Sequence, residues 1–409
     1  MNAARAPLWI AACAAAGLYA VNVSSNDGRA ATGARPTSLT LDPSGKYAYV
    51  ANFQSNNVSA YRIGAGNGTL SPVAGSPFAA GTQPFSVTIS RSGRYAYVAN
   101  QFSGNVSAYR IDRANGALHA VAGSPFPAGT RPCAVTLDPA GRFAYVANMG
   151  SSDVSAYRID DATGALTPVA GAPFATGTHP RLVSIDPKGR FAYVAGNASH
   201  DVWAYSIDGA TGALRPVAGT PFPAGRGAVS VTLDPAGRFA YVANAFANSI
   251  SAYRVDNASG ALTPVAGLQV STGKFPSAVT VDPSGRFAYV ANYFSSNVSA
   301  YRIDGSSGRL LLVPGSPFAA RTGPVSVSVD HSGLLAYVAN RSSHDVSAYR
   351  VSAVTGALNA VDGSPFAAGT DPGSVTIDRS GKFAYTANLR SNDVSAYSID
   401  AESGALKAQ

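Results

Sequence analysis

The sequence predicts an all-β protein folded as a single closed β-propeller of eight four-stranded blades. A motif close to Tyr-Val-Ala-Asn returns every 48 residues, and a second tyrosine keeps the same step from Tyr61 to Tyr397. Gly and Pro interrupt every unit, which excludes the long helices of a helical solenoid. The tyrosine of the motif stands at Tyr49, Tyr97, Tyr145, Tyr193, Tyr241, Tyr289, Tyr337 and Tyr385.

The repeats form one predicted domain, residues 35–409, with units that start at residues 35, 83, 131, 179, 227, 275, 323 and 371. Each unit of a propeller packs only on its neighbours, so a chain of 409 residues needs no division into separate compact cores. Seven blades plus one extra unit is the alternative arrangement.

The unit that starts at Arg131 shows four predicted strands with turns between them. Asp138, Pro139 and Gly141 have turn chemistry, because Pro presets φ and Gly accepts a left-handed backbone. In the first strand an aliphatic residue, Val135, is followed by a small one, Thr136, and the other units have the same pattern. One face of the strand is therefore aliphatic and the other small, so that large side chains meet small ones between blades. The strands are predicted at residues 133–137, 142–147, 153–159 and 165–169, and residues 171–180 lead to the next unit.

The eighth blade is predicted to be completed by a strand from the amino terminus. The eighth unit stops at Gln409, partway through its fourth strand. Residues 18–23 alternate as a strand does and are predicted to complete the eighth blade within a leader and closing segment, residues 1–34. The alternative is that residues 18–23 are only the end of a leader.

Composition and charge narrow the class of protein. Hydrophobic residues make up 46% and charged residues 13%, with 42 Gly and 26 Pro, which favours strands and turns over helices. The net charge is +8, but Lys and Arg recur around the repeats instead of forming one cluster. We therefore predict a monomer with a slightly basic rim and no nucleic-acid partner.

The amino terminus has features of an export signal. Arg5 precedes an apolar run at residues 6–21, which is short for a membrane span. Cys13 closes a box similar to that of bacterial lipoproteins and is predicted as a lipidation site, the only expected membrane contact. From these features we predict a periplasmic or secreted location. The alternative is a cytoplasmic location, with residues 6–21 as a plain apolar leader. Cys133, far along the chain, indicates no disulfide framework.

The Tyr-Val-Ala-Asn motif, the Asp-Pro-x-Gly turn and the Thr-Gly-Ala-Leu turn resemble those of the bacterial YVTN-repeat propellers. They are also similar to the propeller lactonases typified by 6-phosphogluconolactonase and the carboxymuconate cyclases. The resemblance covers about residues 35–409 and implies the propeller fold. The chain departs from the lactonase pattern in having eight units where that family usually has seven, and Glu402 is its only glutamate. No family catalytic motif matches here, so the resemblance assigns no residue a role.

The sequence contains no motif for binding a metal ion or a cofactor, and we therefore predict neither a metal ion nor a cofactor. The histidines do not pair at metal-ligand spacing, and there is no phosphate loop, nucleophile elbow or dinucleotide fingerprint. The aspartates of the Asp-Pro-x-Gly turns are interpreted as turn caps, with a cation-attracting ring of carboxylates as the alternative.

The candidate site lies where the repeats differ. Loops that enter the first strand and loops that follow the second strand share one face of a propeller, at the mouth of its channel. The residue before the first strand is Arg35, Gln83, Arg131, His179 or Asp371 in five units, and Arg181 stands two residues after His179. We predict that these residues bind a small anion, since guanidinium groups suit carboxylate and phosphate. Unconstrained variation of exposed loops is the alternative.

The fourth unit differs in other positions too, with Gly196, Asn197, His200 and Trp203. It is predicted as the specialised side of the mouth, although Trp203 also suits simple packing. The function predicted is an exported scaffold that binds a small anionic or sugar-derived ligand or a protein partner. The alternative is a lactone hydrolase resembling 6-phosphogluconolactonase, with His179 or Asp371 as general base.

Overall fold

A computed structural model describes residues 29–409, in which every regular element is a β-strand. The strands form eight antiparallel sheets arranged as the blades of one ring, which confirms the predicted eight-bladed propeller. Blades 1 to 8 are numbered along the chain.

The strands of each blade run in chain order from the channel outwards. The innermost strands are Pro36–Leu41, Pro84–Ile89, Pro132–Leu137, Pro180–Ile185, Ala228–Leu233, Pro276–Val281, Pro324–Val329 and Pro372–Ile377. The second strands are Tyr47–Asn52, Tyr95–Asn100, Phe143–Asn148, Phe191–Gly196, Phe239–Asn244, Phe287–Asn292, Leu335–Asn340 and Phe383–Asn388. The third strands are Asn57–Ile63, Asn105–Ile111, Asp153–Ile159, Asp201–Ile207, Ser249–Val255, Asn297–Ile303, Asp345–Val351 and Asp393–Ile399.

The outer edge of seven blades has two short strands in place of the single fourth strand that the sequence suggested. In blade 3, Leu166–Pro168 pairs with the third strand, the chain turns back, and Phe174–Ala175 pairs with the same strand again. The turn closes where the Ala172 N–H donates to the Val169 carbonyl at 3.0 Å. Only blade 5 has a continuous outer strand, Leu262–Ser271. The other pairs are Leu70–Pro72 and Phe78–Ala79, Leu118–Ala120 and Phe126–Pro127, Leu214–Pro216 and Phe222–Pro223, Leu310–Leu312 and Phe318–Ala319, and Leu358–Ala360 and Phe366–Ala367.

Blade 8 takes its outer edge from both ends of the described chain. Leu406–Ala408 supplies one short strand, and Arg29–Ala31 supplies the other by pairing antiparallel with Asp393–Ile399. A strand from the amino-terminal segment, Arg29–Ala31, therefore completes the eighth blade. The residues predicted for that role, 18–23, lie outside the described residues, as do Cys13 and the apolar run 6–21.

Tyrosine hydroxyls join each blade to the next around the whole ring. The motif tyrosine donates to a glycine carbonyl of the following blade at 2.9–3.0 Å, from Tyr49 to Gly116 through to Tyr385, which reaches Gly68 of blade 1. The second tyrosine donates to the outer edge of the preceding blade, as Tyr109 does to the Ala79 carbonyl at 2.5 Å. We call these two series the hydroxyl belts. They hold the blades in register, because each buried hydroxyl needs its acceptor.

The core is distributed over eight apolar clusters, one between each pair of neighbouring blades. Between blades 1 and 2, Tyr49 and Val58 pack against Val87 and Val98, all of them buried. Near the channel, Thr40 Oγ1 donates to the Val87 carbonyl at 2.7 Å, and equivalent Thr or Ser residues repeat this bond. The alternation of aliphatic and small residues thus serves packing and also an inter-blade hydrogen bond.

Candidate functional site at the channel mouth

The predicted mouth is a ring of loops at one end of the channel. Each innermost strand begins at this end and each second strand returns to it, so the Phe53 N–H bonds to the Arg35 carbonyl at 2.9 Å. The residue before each innermost strand has a left-handed backbone in all eight blades. These mouth residues, with their φ values, are Arg35 (55°), Gln83 (56°), Arg131 (55°), His179 (57°), Gly227 (73°), Phe275 (60°), Gly323 (69°) and Asp371 (69°).

Six of the mouth residues have side chains despite a backbone conformation that favours glycine. The preceding blade helps to hold the conformation by accepting a hydrogen bond from the N–H of the mouth residue. Asn56 Oδ1 accepts it from Gln83 at 2.8 Å, and Asn248 Oδ1 accepts it from Phe275 at 2.8 Å. Varied side chains on a left-handed backbone make the mouth the candidate functional surface.

His200 and His344 take the place of these asparagines. His200 Nδ1 accepts the Gly227 N–H at 3.1 Å, and His344 Nδ1 accepts the Asp371 N–H at 3.1 Å. The fourth unit's unusual histidine therefore has a structural contact.

Trp203, also unusual in the fourth unit, lies on a third strand away from the mouth. It pairs across the sheet with Val194 and stacks on Tyr205 at 6.2 Å between ring centroids. Its neighbour Gly196 has no room for a side chain, because Ser199 and Asp201 occupy the space where a Cβ would stand. Trp203 is therefore explained by packing in the apolar cluster between blades 3 and 4, and Gly196 by close contacts within blade 4.

A polar and cationic group, which we call the cationic cluster, lies at the mouth of blades 2 to 4. It consists of Gln101, Arg131, Cys133 and Arg181. Gln101 Nε2 is 3.6 Å from the Cys133 sulfur, and the charges of both arginines act on that thiol. Burial raises the pKa of Cys133 despite these charges, so the thiol stays protonated near neutral pH.

Arg181 is half-buried on the innermost strand of blade 4. Burial lowers the pKa of its guanidinium, and the neighbouring charge of Arg131 lowers it further. Two guanidinium groups that repel each other suit an anionic ligand at this part of the mouth. The structure thus brings together two of the six predicted site residues, Arg131 and Arg181.

A groove of about 660 Å³ adjoins the cationic cluster between blades 2 and 3. Arg131 and Gln101 line it together with Gln83, Thr130 and Phe102, whose side chain is 76% exposed. Amide, hydroxyl and aromatic groups around one guanidinium are a lining that suits a polar ligand with an apolar face.

Aromatic side chains cover the mouth at blades 5 and 6. Phe275 is buried at the centre and packs edge-on against Phe246, Tyr293 and Phe294 at centroid distances of 5.3–6.3 Å. Phe246 and Phe294 are half exposed. The two sides of the mouth therefore differ in chemistry, although the blades beneath them are alike.

The remaining predicted residues sit on the same ring but outside the cationic cluster. The Arg35 guanidinium lies 5.6 Å from the centre of the Phe53 ring. Asp371 is held between two arginines, with Arg341 Nε 2.9 Å from Oδ1 and Arg390 Nε 3.3 Å from Oδ2. His179 is exposed, and its side chain makes no hydrogen bond or ion pair to residues 29–409. These two ion pairs engage the Asp371 carboxylate, and His179 has no neighbouring group in the described structure that would aim it at a substrate.

Sequence reasoning missed the residues that follow the second strands, including Phe53, Gln101, Tyr293 and Arg341. They occupy the position directly after the repeated tetrapeptide. The residue type at this position differs from unit to unit although the tetrapeptide is nearly constant, and that difference could have identified them as candidate site residues. The structure places each of them beside a mouth residue.

The turn aspartates act as caps at the opposite end of the channel. Asp42 Oδ1 accepts the N–H groups of Lys46 and Tyr47 at 2.8 and 2.7 Å, and equivalent contacts recur in the other Asp turns. Within residues 29–409, no three His, Cys, Asp or Glu side chains are grouped to hold a metal ion. The same residues contain no helix long and apolar enough to span a membrane.

Comparison with known proteins connects this arrangement to a family. A family model described as Lactonase, 7-bladed beta-propeller matches residues 18–130, 120–226, 217–318 and 311–409. No curated protein matches the sequence significantly.

Solved structures share the fold at low identity. A candidate 6-phosphogluconolactonase from Bacteroides uniformis is 20% identical, with a TM-score of 0.63 over 80% of this chain and 96% of its own. A second one, from Bacteroides fragilis, is 19% identical, with a TM-score of 0.64 over 86% and 98%. The periplasmic gluconolactonase of Pseudomonas aeruginosa is 24% identical, with a TM-score of 0.56 over 74% and 90%.

Proposed function

Because this chain belongs to the lactonase family of β-propellers, we propose that its channel mouth binds a small sugar-derived anion. The observation that carries the proposal is the pair Arg131 and Arg181, two half-buried guanidinium groups whose charges both act on the buried thiol of Cys133. A carboxylate or phosphate beside them would offset the repulsion between their charges. The adjoining groove supplies the amide group of Gln83 for hydroxyls and the ring of Phe102 for an apolar sugar face.

Replacing both arginines, as Arg131→Ala with Arg181→Ala, is expected to weaken binding of 6-phosphogluconate about 100-fold, as titration calorimetry would measure. A hydrogen bond to a charged group contributes about 1.5–3 kcal/mol. The matched control is Arg62→Ala with Arg110→Ala, which removes the same charge from two exposed positions on third strands, where an ion pair gives only about 0–1 kcal/mol.

Equal losses in the two double variants would contradict the proposal, and so would the absence of binding to the unaltered protein across gluconate, 6-phosphogluconate and their lactones. That result would favour a protein partner for the mouth.

Lactone hydrolysis is the second candidate, favoured by the family match. Arg181 is suited to stabilise the negative charge that develops on a lactone oxygen, and His179, two residues before it, is the nearest candidate base in sequence. Acid release from glucono-δ-lactone, followed with a pH indicator against the rate without protein, tests this activity. His179→Gln is expected to abolish catalysis while leaving the binding of gluconate unchanged, whereas a rate equal to the uncatalysed one would leave binding as the function.

We further propose export, on the basis of Arg5, the apolar run 6–21 and Cys13. Mass spectrometry of the protein from its native host is expected to find the first residues removed or Cys13 lipidated. An intact Met1 or Asn2 terminus in the cytoplasmic fraction would refute this.

A further inference from the structure

The residue directly before each third strand lacks a side chain in blade 2 alone. All eight of these residues have a left-handed backbone, with φ between 52° and 63°. Seven of them carry a side chain: Asn56, Ser152, His200, Asn248, Ser296, His344 and Asn392. The eighth is Gly104, in the loop that precedes the third strand of blade 2.

The side chain at this position commonly reaches across to the next blade. In five blades its oxygen or nitrogen accepts the N–H of the following mouth residue, as Asn56 Oδ1 does from Gln83 at 2.8 Å. Gly104 leaves this space unfilled. Among residues 29–409, apart from its own chain neighbours, only the Gly129 carbonyl oxygen lies within 4 Å of the point where a Cβ would stand, at 3.3 Å.

The groove of about 660 Å³ between blades 2 and 3 lies at this place. Gly104, Ala128 and Gly129 line it, and the Ala128 N–H donates to the Gly104 carbonyl at 2.9 Å, which ties its two walls together. Arg131 lines the groove as well, whereas Arg181 does not. The groove therefore leads away from the arginine pair at Arg131. Its volume is in the range of pockets that enclose a whole small molecule, about 300–1,000 Å³.

Beyond Arg131, the groove is lined by uncharged groups. The side chains of Gln83 and Thr130 make no hydrogen bond within residues 29–409, so their amide and hydroxyl groups are available to a ligand. Ser151 Oγ accepts the Thr130 N–H at 3.0 Å and keeps its own proton to donate.

Phe102 adds an exposed aromatic ring to these groups. At the same loop position in blades 5 and 6, Phe246 and Phe294 lie against the buried ring of Phe275 instead. An exposed ring among available amide and hydroxyl groups suits a neutral sugar unit, because one face of a sugar ring is apolar and its hydroxyls need partners.

We propose that the ligand of the mouth is a glycosylated sugar acid, an inference that rests on the anion site proposed above. The acid group lies at Arg131 and Arg181, and the sugar unit attached to the acid lies in the groove. The ring of Phe102 contacts the apolar face of that sugar, and the hydroxyls of Thr130 and Ser151 bond to its hydroxyl groups.

Titration calorimetry with lactobionate, which is gluconate carrying a galactosyl unit, tests this inference. Lactobionate is expected to bind about tenfold more tightly than gluconate, because its second unit adds about two hydrogen bonds and a ring contact. Neutral lactose has the same galactosyl unit without the acid, and it is expected to bind about tenfold more weakly than lactobionate.

The variant Gly104→Asn is expected to fill the groove and to lower the lactobionate affinity to that of gluconate, a loss of about tenfold. The gluconate affinity is expected to stay unchanged, because both arginines are retained. Asn56, Asn248 and Asn392 have the same left-handed backbone at this position, so the variant is expected to fold normally, which circular dichroism would verify.

Ser296→Asn is the matched control, since it introduces the same residue at the equivalent position of blade 6, outside the groove, and it should leave both affinities unchanged. Gluconate binding with no gain for lactobionate, or equal losses in the two variants, would overturn this inference and leave the anion site standing. Failure of the unaltered protein to bind either acid, or equal binding of lactose and lactobionate, would contradict the anion site and the inference with it.

Discussion

Raising the pH above 10 is expected to unfold this protein cooperatively, because its hydroxyl belts depend on neutral tyrosines. Burial raises the pKa of all sixteen belt tyrosines, to about 12 for Tyr109. An unfolded tyrosine ionises with a pKa of about 10. Between these values the folded protein keeps protons that the unfolded chain has lost, so stability falls as the pH rises.

The size of the effect follows from linkage. At pH 11, a tyrosine with a folded pKa of about 12 opposes folding by about 1.4 kcal/mol. Fifteen belt tyrosines whose pKa is raised at least this far together oppose folding by about 20 kcal/mol, which exceeds the free energy of unfolding of an ordinary domain, about 5–15 kcal/mol. The stability contribution is fully present below pH 10 and is lost from there upwards.

Tyrosinate absorbance and far-ultraviolet circular dichroism should be followed in one alkaline titration. Both signals are expected to change together, steeply, between about pH 10 and 12. Gradual ionisation of most tyrosines with the β-sheet signal retained would contradict the prediction.

Removing the closing strand is expected to lower the free energy of unfolding by on the order of 5 kcal/mol. A chain that starts at Gly33 loses the pairing of Arg29–Ala31 with the third strand of blade 8. It also loses the Ala31 carbonyl that accepts the Tyr61 hydroxyl, and the Arg29–Asp393 ion pair at 3.6 Å. Net hydrogen bonds contribute about 1 kcal/mol each, and a buried hydroxyl left without an acceptor costs about 1–3 kcal/mol.

A chain that starts at Gly28 is the matched control, because it also lacks residues 1–27 but keeps the strand. Urea unfolding of the two chains measures the difference directly. The shorter chain is also expected to self-associate with concentration, since it exposes part of the edge of blade 8. Identical urea midpoints would show that Arg29–Ala31 does not close the ring.

The period of 48 residues made the blades predictable, because each strand and turn repeats with the same residue types. The split outer strand was not predicted. Residues 171–180 were interpreted as a connection to the next unit, because they show no alternation typical of a strand. Phe174–Ala175 nevertheless pairs with the third strand, since a turn brings the chain back to it. The strand that pairs with the third strand of blade 8, Arg29–Ala31, was not among the residues predicted for that role.

The candidate site was only partly predictable, because it joins residues from different repeats. Arg131 and Arg181 stood out as charges at variable positions, but the contact of Gln101 with Cys133 joins blades 2 and 3 and depends on side-chain packing. His200 looked like a functional residue in the sequence. Its role in fixing the backbone at Gly227 appears only when the neighbouring blade is in place.

The bond from Tyr385 to Gly68 has the same geometry as the seven other bonds of its series, although it spans the two ends of the ring. Each repeat therefore supplies the donor of the hydrogen bond to the next blade and the acceptor of the bond from the preceding blade, and neither contact depends on the number of repeats. Duplication of one whole repeat in the gene adds a blade whose hydrogen bonds already match those of its neighbours, with only a small change in the angle between neighbouring blades. An eight-bladed member of a family described as seven-bladed is what growth by such increments produces.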